Sequence, residues 1–264
     1  MPIMRFFKFL DAYTLRARLF PAIIAGAPAL AALALLISWD KIALSNVIAT
    51  GGLLVLLFTL ADVARRQGRR IEPRLYESMG GKPSVTMMRR SDQTIDAHTK
   101  DRYREFLATK IGRTAPTAEE ETADQAGADA FYYQCGIWLR DNTRDTTMFR
   151  ILFGELVTYG FRRNLLGLKW PAIALNLLVV AICLWLLWYR GAPDTSDGLT
   201  MRIIVVLIVA AIHGLYVLSV VTWNGAAEAA RSYGRELILS CERLLRNSTP
   251  PAAKRRRPRK PKAA

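Results

Sequence analysis

Histidine and cysteine are scarce in this chain, and with them most of the residue types that carry enzyme chemistry. Two histidines, His98 and His213, and three cysteines, Cys135, Cys183 and Cys241, occur in 264 residues. The cysteines are far apart, with no CxxC and no metal-ligand spacing, so free thiols are expected. HExxH, the Walker A sequence and GxGxxG are missing, and no apolar run carries Asp or Glu near its centre. Those absences exclude zincin, P-loop, dinucleotide-binding and intramembrane aspartyl-protease chemistry as read from motifs. His98 and Glu155 alone are placed for acid–base work, and a lone histidine outside a membrane is ordinarily a surface residue. The expectation is a protein that is not an enzyme, with no catalytic residue, cofactor or metal.

Charge is also missing, but only locally. Four runs, Leu19–Trp39, Ile42–Ala61, Trp170–Tyr189 and Ile203–Trp223, contain no Asp, Glu, Lys or Arg. Each is close to the roughly 20 residues that a helix needs to cross hydrocarbon. The chain is 52% hydrophobic yet carries a net charge of +15, and segregation of apolar blocks from charged ones reconciles the two. The predicted fold is an all-α integral membrane protein, with four transmembrane helices in two hairpins and a helical cytoplasmic region inserted between them. The first run is too long for the apolar part of a cleavable signal peptide, and a second follows at once, so it reads as an uncleaved anchor.

Orientation follows from the basic residues. Of 37 Lys and Arg, only Lys41, Arg190 and Arg202 fall in the two short connections between runs. Arg16, Arg18, Arg65, Arg66, Arg69, Arg70, Arg162, Arg163 and Lys169 flank the runs on the other side, so both termini and the middle region are expected in the cytoplasm. Trp39, Trp170, Trp185, Trp188, Tyr189 and Trp223 lie near run ends, where amphipathic rings favour the interface. The sequon Asn247-Ser248-Thr249 is then cytoplasmic and unglycosylated. Abundant alanine and more arginine than lysine point to a bacterial inner membrane.

The expected divisions are a juxtamembrane segment (1–18), hairpin 1 (19–63), a helical cytoplasmic region (64–169), hairpin 2 (170–223), a helix (224–247) and a basic tail (248–264). Pro21 and Pro28 are expected to bend the first span, and Asp40-Lys41 to make an outer turn. Within the middle region, helices are predicted over Asp92–Ile111, from the capping box Thr117/Glu120 through about Leu139, and over Asp145–Phe161. The second of these puts Ala128, Phe131, Cys135 and Trp138 on one face. After the fourth span the chain is expected to continue as a helix, Ala226–Leu245.

Three groups of residues invite a role. Arg65, Arg66, Arg69 and Arg70, with Arg162 and Arg163 in the stretch GELVTYGFRRNLLGLKW, are candidate contacts for anionic lipid or a phosphorylated ligand. An interfacial collar anchoring the third span is the plainer reading of the second pair. Tyr233, Leu237, Cys241 and Leu244 recur at helical spacing and form a candidate self-association stripe. In the fourth span, His213 and Tyr216 share a stripe flanked by Ala210 and Gly214. Asn176 of the third span lies at the depth of Tyr216 and is expected to bond to it, and His213 to sit neutral at a helix interface. The tail KRRRPRKPK has anionic headgroups as its nearest polyanion, which disfavours nucleic acid as the partner. The functional expectation is a non-enzymatic, oligomeric inner-membrane protein coupling a cytosolic signal to a membrane-level response, of effector or pore type. The alternative is a scaffold that recruits a cytosolic protein partner and leaves permeability unchanged.

Overall fold

The computed structural model describes residues 12–36, 46–191 and 197–248, with the side chains at 46–51, 53, 54 and 57 left aside. The Asp40-Lys41 turn, the start of the juxtamembrane segment, the sequon's Thr249 and the basic tail lie outside the described residues. Every regular element among them is helical. In chain order these are α1 (Thr14–Leu36), α2 (Asn46–Glu77), α3 (Pro83–Thr86), α4 (Ala97–Ile111), α5 (Ala118–Ala123), α6 (Gln125–Asn142), α7 (Arg150–Gly167), α8 (Lys169–Arg190), α9 (Gly198–Ser219) and α10 (Trp223–Ser248).

Three of the described helices, α1, α8 and α9, are long and apolar enough to cross a membrane. The second expected span falls partly outside the described residues; from Asn46 onward its backbone forms the first half of the 32-residue α2. Leu177, Ile182, Trp188, Ile212, Leu215 and Leu218 are exposed on α8 and α9, as lipid-facing side chains are. The hairpin α8–α9 is clasped at both ends. Lys169 Nζ donates to the Val221 carbonyl at 2.7 Å, and Arg190 pairs with Asp197 at 2.8 Å. Asp197 also starts α9, accepting from the Thr200 N–H at 3.2 Å and from its hydroxyl at 3.0 Å. This cap places the helix five residues earlier than the uncharged run, so Arg202 lies inside it and reaches the Leu35 carbonyl of α1 at 3.4 Å.

Among the described residues, α1 packs on α8 and α9 as well as on α2. Small residues allow it: Ala22 and Ala25 meet Ala172 and Leu168, and Ala29 and Ala32 pack beside Val179, Cys183, Ile203 and Val206.

The remaining helices form a body with its own core, in which Tyr103, Leu107, Phe131, Tyr132, Cys135, Leu139 and Leu152 surround Leu237, Ile238 and Cys241 of α10. Local caps explain where its helices differ from expectation. Asp92 turns its carboxylate onto the Thr94 N–H at 2.8 Å and Asp96 caps at Thr99, so α4 begins at Ala97. The predicted Thr117/Glu120 capping box is present, but Asp124 ends that helix and caps the next at the Gly127 N–H, 2.9 Å away. Asp145 accepts from the Thr147 and Met148 N–H groups instead of entering a helix, and α7 starts at Arg150 and runs on to Gly167.

The stripe Tyr233, Leu237, Cys241 and Leu244 is not a free face. Leu237 and Cys241 are wholly buried in this chain's own core, Leu244 packs against it, and Tyr233 stacks on Tyr159 with centroids 6.0 Å apart. Its helical spacing is met by packing within this chain's own core.

Candidate functional site

The membrane helices and the helical body meet where α1, α2, α7 and α10 converge. Here α2 leaves the apolar zone without a break, and α7 passes into α8 with Leu168 alone between them. The approach of α2 and α7 depends on glycine. A Cβ on Gly167 would stand 2.5 Å from the Gln67 carbonyl carbon and 2.6 Å from Gly68 N, and one on Gly68 would stand 2.0 Å from Asn164 Oδ1.

Backbones this close bring polar side chains into a buried network centred on Glu72. Its Oε1 accepts from Arg163 Nη1 at 2.8 Å, from the Tyr159 hydroxyl at 2.7 Å and from the Tyr76 hydroxyl at 3.0 Å. Each hydroxyl has one hydrogen, so the 3.0 Å separation of the two phenol oxygens follows from both converging on one carboxylate oxygen. Burial pushes the Glu72 carboxyl up. Arg163, with the hydrogen bonds from Tyr159 and Tyr76, outweighs it and holds the group below its ordinary value. Burial, then the neighbouring tyrosine and Glu72, push the Tyr159 phenol well above its ordinary range. The centre is therefore a glutamate anion, a guanidinium and two neutral phenols. Arg163 uses its remaining face on Asn164 Oδ1, at 3.3 Å from Nε and 3.2 Å from Nη2.

Asn164 carries the network into α1 by donating to the Ala17 carbonyl at 2.6 Å. Pro21 explains why that carbonyl is free: proline has no N–H to return to the residue four earlier. Around it the helix widens into a π-turn over Thr14–Leu19, with the Phe20 N–H reaching back to Leu15.

The same device recurs deeper in the membrane zone. Asn176 Nδ2 donates to the Ala210 carbonyl at 2.9 Å and lies 2.9 Å from His213 Nδ1. Asn176 therefore partners His213 itself, not Tyr216 as the depth argument expected. With Nδ1 accepting, the ring hydrogen belongs on Nε2. That nitrogen is buried without a hydrogen bond of ordinary geometry, and the Ile24 backbone of α1 is the further polar group beside the ring. Pro28 cannot donate to Ile24, which leaves that carbonyl to receive the ring. In detergent, His213→Leu is expected to lower the unfolding midpoint by an amount equivalent to about 0.6–2 kcal/mol, and Asn176→Leu by more, since it removes the bond to the Ala210 carbonyl as well as that to the ring. Ring nitrogen shifts should report an Nε2-protonated neutral imidazole; wild-type stability in both variants would make the pair a passenger.

The other sequence candidates are placed as follows. Arg66, Arg69 and Arg70 are exposed on α2, with Arg66 paired to Asp62 at 2.7 Å. Arg162 donates to the Gly225 carbonyl at 3.0 Å and lines, with Phe161, Tyr216 and Val220, a groove of about 290 Å³. Arg163 is committed to Glu72 and is not open to an external anion. Glu72, Asn164 and Tyr76 were not singled out by sequence. A signal existed for Glu72: it is the lone acid in ARRQGRRIEPR, directly before a proline.

No protein-family model matches the chain, and neither any curated protein nor any solved structure matches it significantly.

Proposed function

We propose that this is a non-enzymatic, multi-pass bacterial inner-membrane protein. In this reading it has four spans with both termini cytoplasmic, and as a homo-oligomer it couples a cytosolic signal to a membrane-level response of effector or pore type, as in stress or antiphage defence. The carrying observation is the junction at Glu72 and Arg163. It links a folded helical body to the apolar helices through two continuous helical paths, α2 and α7–α8, and one part-buried ion pair. A shift of the body relative to α7 would be transmitted to α1 through Asn164 and Ala17. A single chain with four spans does not enclose a path, so permeability requires several copies. Exposed Arg66, Arg69 and Arg70 suit anionic headgroups, whose attraction is about 1 kcal/mol per basic residue.

Tyr133, Ile137 and Ile151 are exposed on the helical body, and this favours a second reading: a scaffold that docks a cytosolic protein without altering permeability. Membrane potential recorded during expression separates the two. The effector reading expects depolarisation by wild type and its loss in Glu72→Gln; a steady potential together with specific capture of one partner supports the scaffold. Reporter fusions at Ser91 and Asp197 should behave as cytoplasmic and exported respectively, and an exported signal at Ser91 defeats the orientation.

A further inference from the structure

Three buried donor atoms in the helical body have no hydrogen-bond partner among the described residues: Arg104 Nε, whose guanidinium is otherwise bonded, Ser84 Oγ on α3 and Arg140 Nη1 on α6. Ser84 is only 4% exposed. Ser84 and Arg140 both lie beside one glycine of α6: a Cβ built on the buried Gly136 would lie 3.5 Å from Ser84 Oγ and 3.8 Å from Arg140 Nη1. Half-buried Lys82 sits two residues before Ser84, its ammonium 5.2 Å from the centre of the Tyr133 ring. Burial, then Arg140, push its pKa down to about 8, and Glu72 is the acid that opposes them.

Elsewhere in the body the buried or part-buried cations have acceptors. Arg89 pairs with Asp129 at 2.6 Å, Arg104 with Asp101 at 2.6 Å, and Lys100 donates to the Arg89 carbonyl at 2.7 Å. Two cations that repel each other, beside an orphaned hydroxyl, are costly to bury unless an anion completes them.

We propose that Lys82, Ser84 and Arg140 form a binding site for the phosphoryl group of a soluble small molecule. A phosphoryl dianion offers the several acceptor oxygens and the double charge that a guanidinium, an ammonium and a hydroxyl together require, where a carboxylate supplies one charge. A lipid headgroup is out of reach. From Ala61, where the apolar run ends, α2 climbs on the order of 24 Å to Glu77 at 1.5 Å per residue, and headgroups extend about 5–8 Å past the hydrocarbon. Binding here does not depend on any membrane response. Its role as the cytosolic signal rests on the functional reading above, through the turn in which the Gly81 N–H bonds back to the Tyr76 carbonyl at 2.9 Å.

Thermal unfolding of the full-length protein in detergent tests the site, with inorganic phosphate or pyrophosphate against chloride at matched ionic strength. Wild type should gain several degrees with phosphate and more with pyrophosphate. Arg140→Met, which removes the unpaired charge, should be at least as stable as wild type in chloride and gain nothing from either anion; Ser84→Ala should gain less than wild type. No gain in wild type, or an equal gain in Arg140→Met, overturns the site. A parallel arm in phosphatidylglycerol and phosphatidylcholine vesicles separates the sources: an Arg140-dependent gain from the anionic lipid would overturn the soluble-ligand assignment.

Discussion

Gly167→Ala is expected to destabilise the protein by more than about 3 kcal/mol, while Gly154→Ala on the same helix is neutral or stabilising. Both substitutions raise helix propensity by roughly 1 kcal/mol, so propensity cannot separate them. Space does. Nothing lies within 4 Å of a Cβ on Gly154, but one on Gly167 meets the Gln67 carbonyl carbon, the Gly68 nitrogen and the Gln67 oxygen at 2.5, 2.6 and 2.7 Å. These are backbone atoms of α2, which no rotamer change can move. Relief requires the helices to part, and the Asn164–Ala17 bond and the Glu72–Arg163 pair lie across the same crossing. Overpacking that side chains can absorb costs about 1–3 kcal/mol, and this case falls beyond it. Unfolding midpoints of the two variants in detergent decide the matter, and equal values would show that α2 and α7 are not packed this closely.

The crossing also shows what the sequence could and could not announce. Runs free of charge made α1, α8 and α9 legible as helices long and apolar enough to cross a membrane, because apolar length leaves a one-dimensional record. The capping box at Thr117/Glu120 was legible for the same reason, its partners being three residues apart. The junction was not. Glu72 and Arg163 are separated by 91 residues, and nothing local distinguishes an arginine facing headgroups from one paired in the interior. The stripe from Tyr233 to Leu244 was read as a self-association seam, but periodicity says only that a face is covered. It cannot say whether the same chain or a second copy covers it. His213 was legible as a contact between helices, and it pairs with Asn176. Its partner was misjudged because depth alone fixes neither the rotation of α8 nor the reach of the Asn176 amide. The carbonyls freed by Pro21 and Pro28 could have been found by counting back four residues, a signal available in the sequence and usually read only as a bend.

Glu72→Gln and Arg163→Met are each expected to cost about 3–5 kcal/mol, the range for removing one partner of a buried ion pair. The pair is mostly sheltered, with side-chain exposures of 26% for Glu72 and 10% for Arg163, so the lower end is the better expectation. Most of the loss is the desolvated charge left behind. The double variant Glu72→Leu/Arg163→Met should therefore be more stable than either single change, and strict additivity would show that the two side chains do not interact. Acid should act on the same contact. The Glu72 carboxyl is held below its ordinary 4.5 in the folded chain, so its contribution is complete above that pH and is lost as pH falls through the depressed folded value. Exposed Asp96, Asp145 and Asp197 are also depressed, by hydrogen bonds to Thr99, Thr147 and Thr200, and they give every variant a common acid slope. The diagnostic quantity is the difference: wild type should approach Glu72→Gln in stability as pH falls below 4.5 through the depressed folded value, and exceed it most at neutral pH. Parallel curves at all pH values would place the wild-type carboxyl outside the network, and the coupling of helical body to membrane helices would lose its central contact.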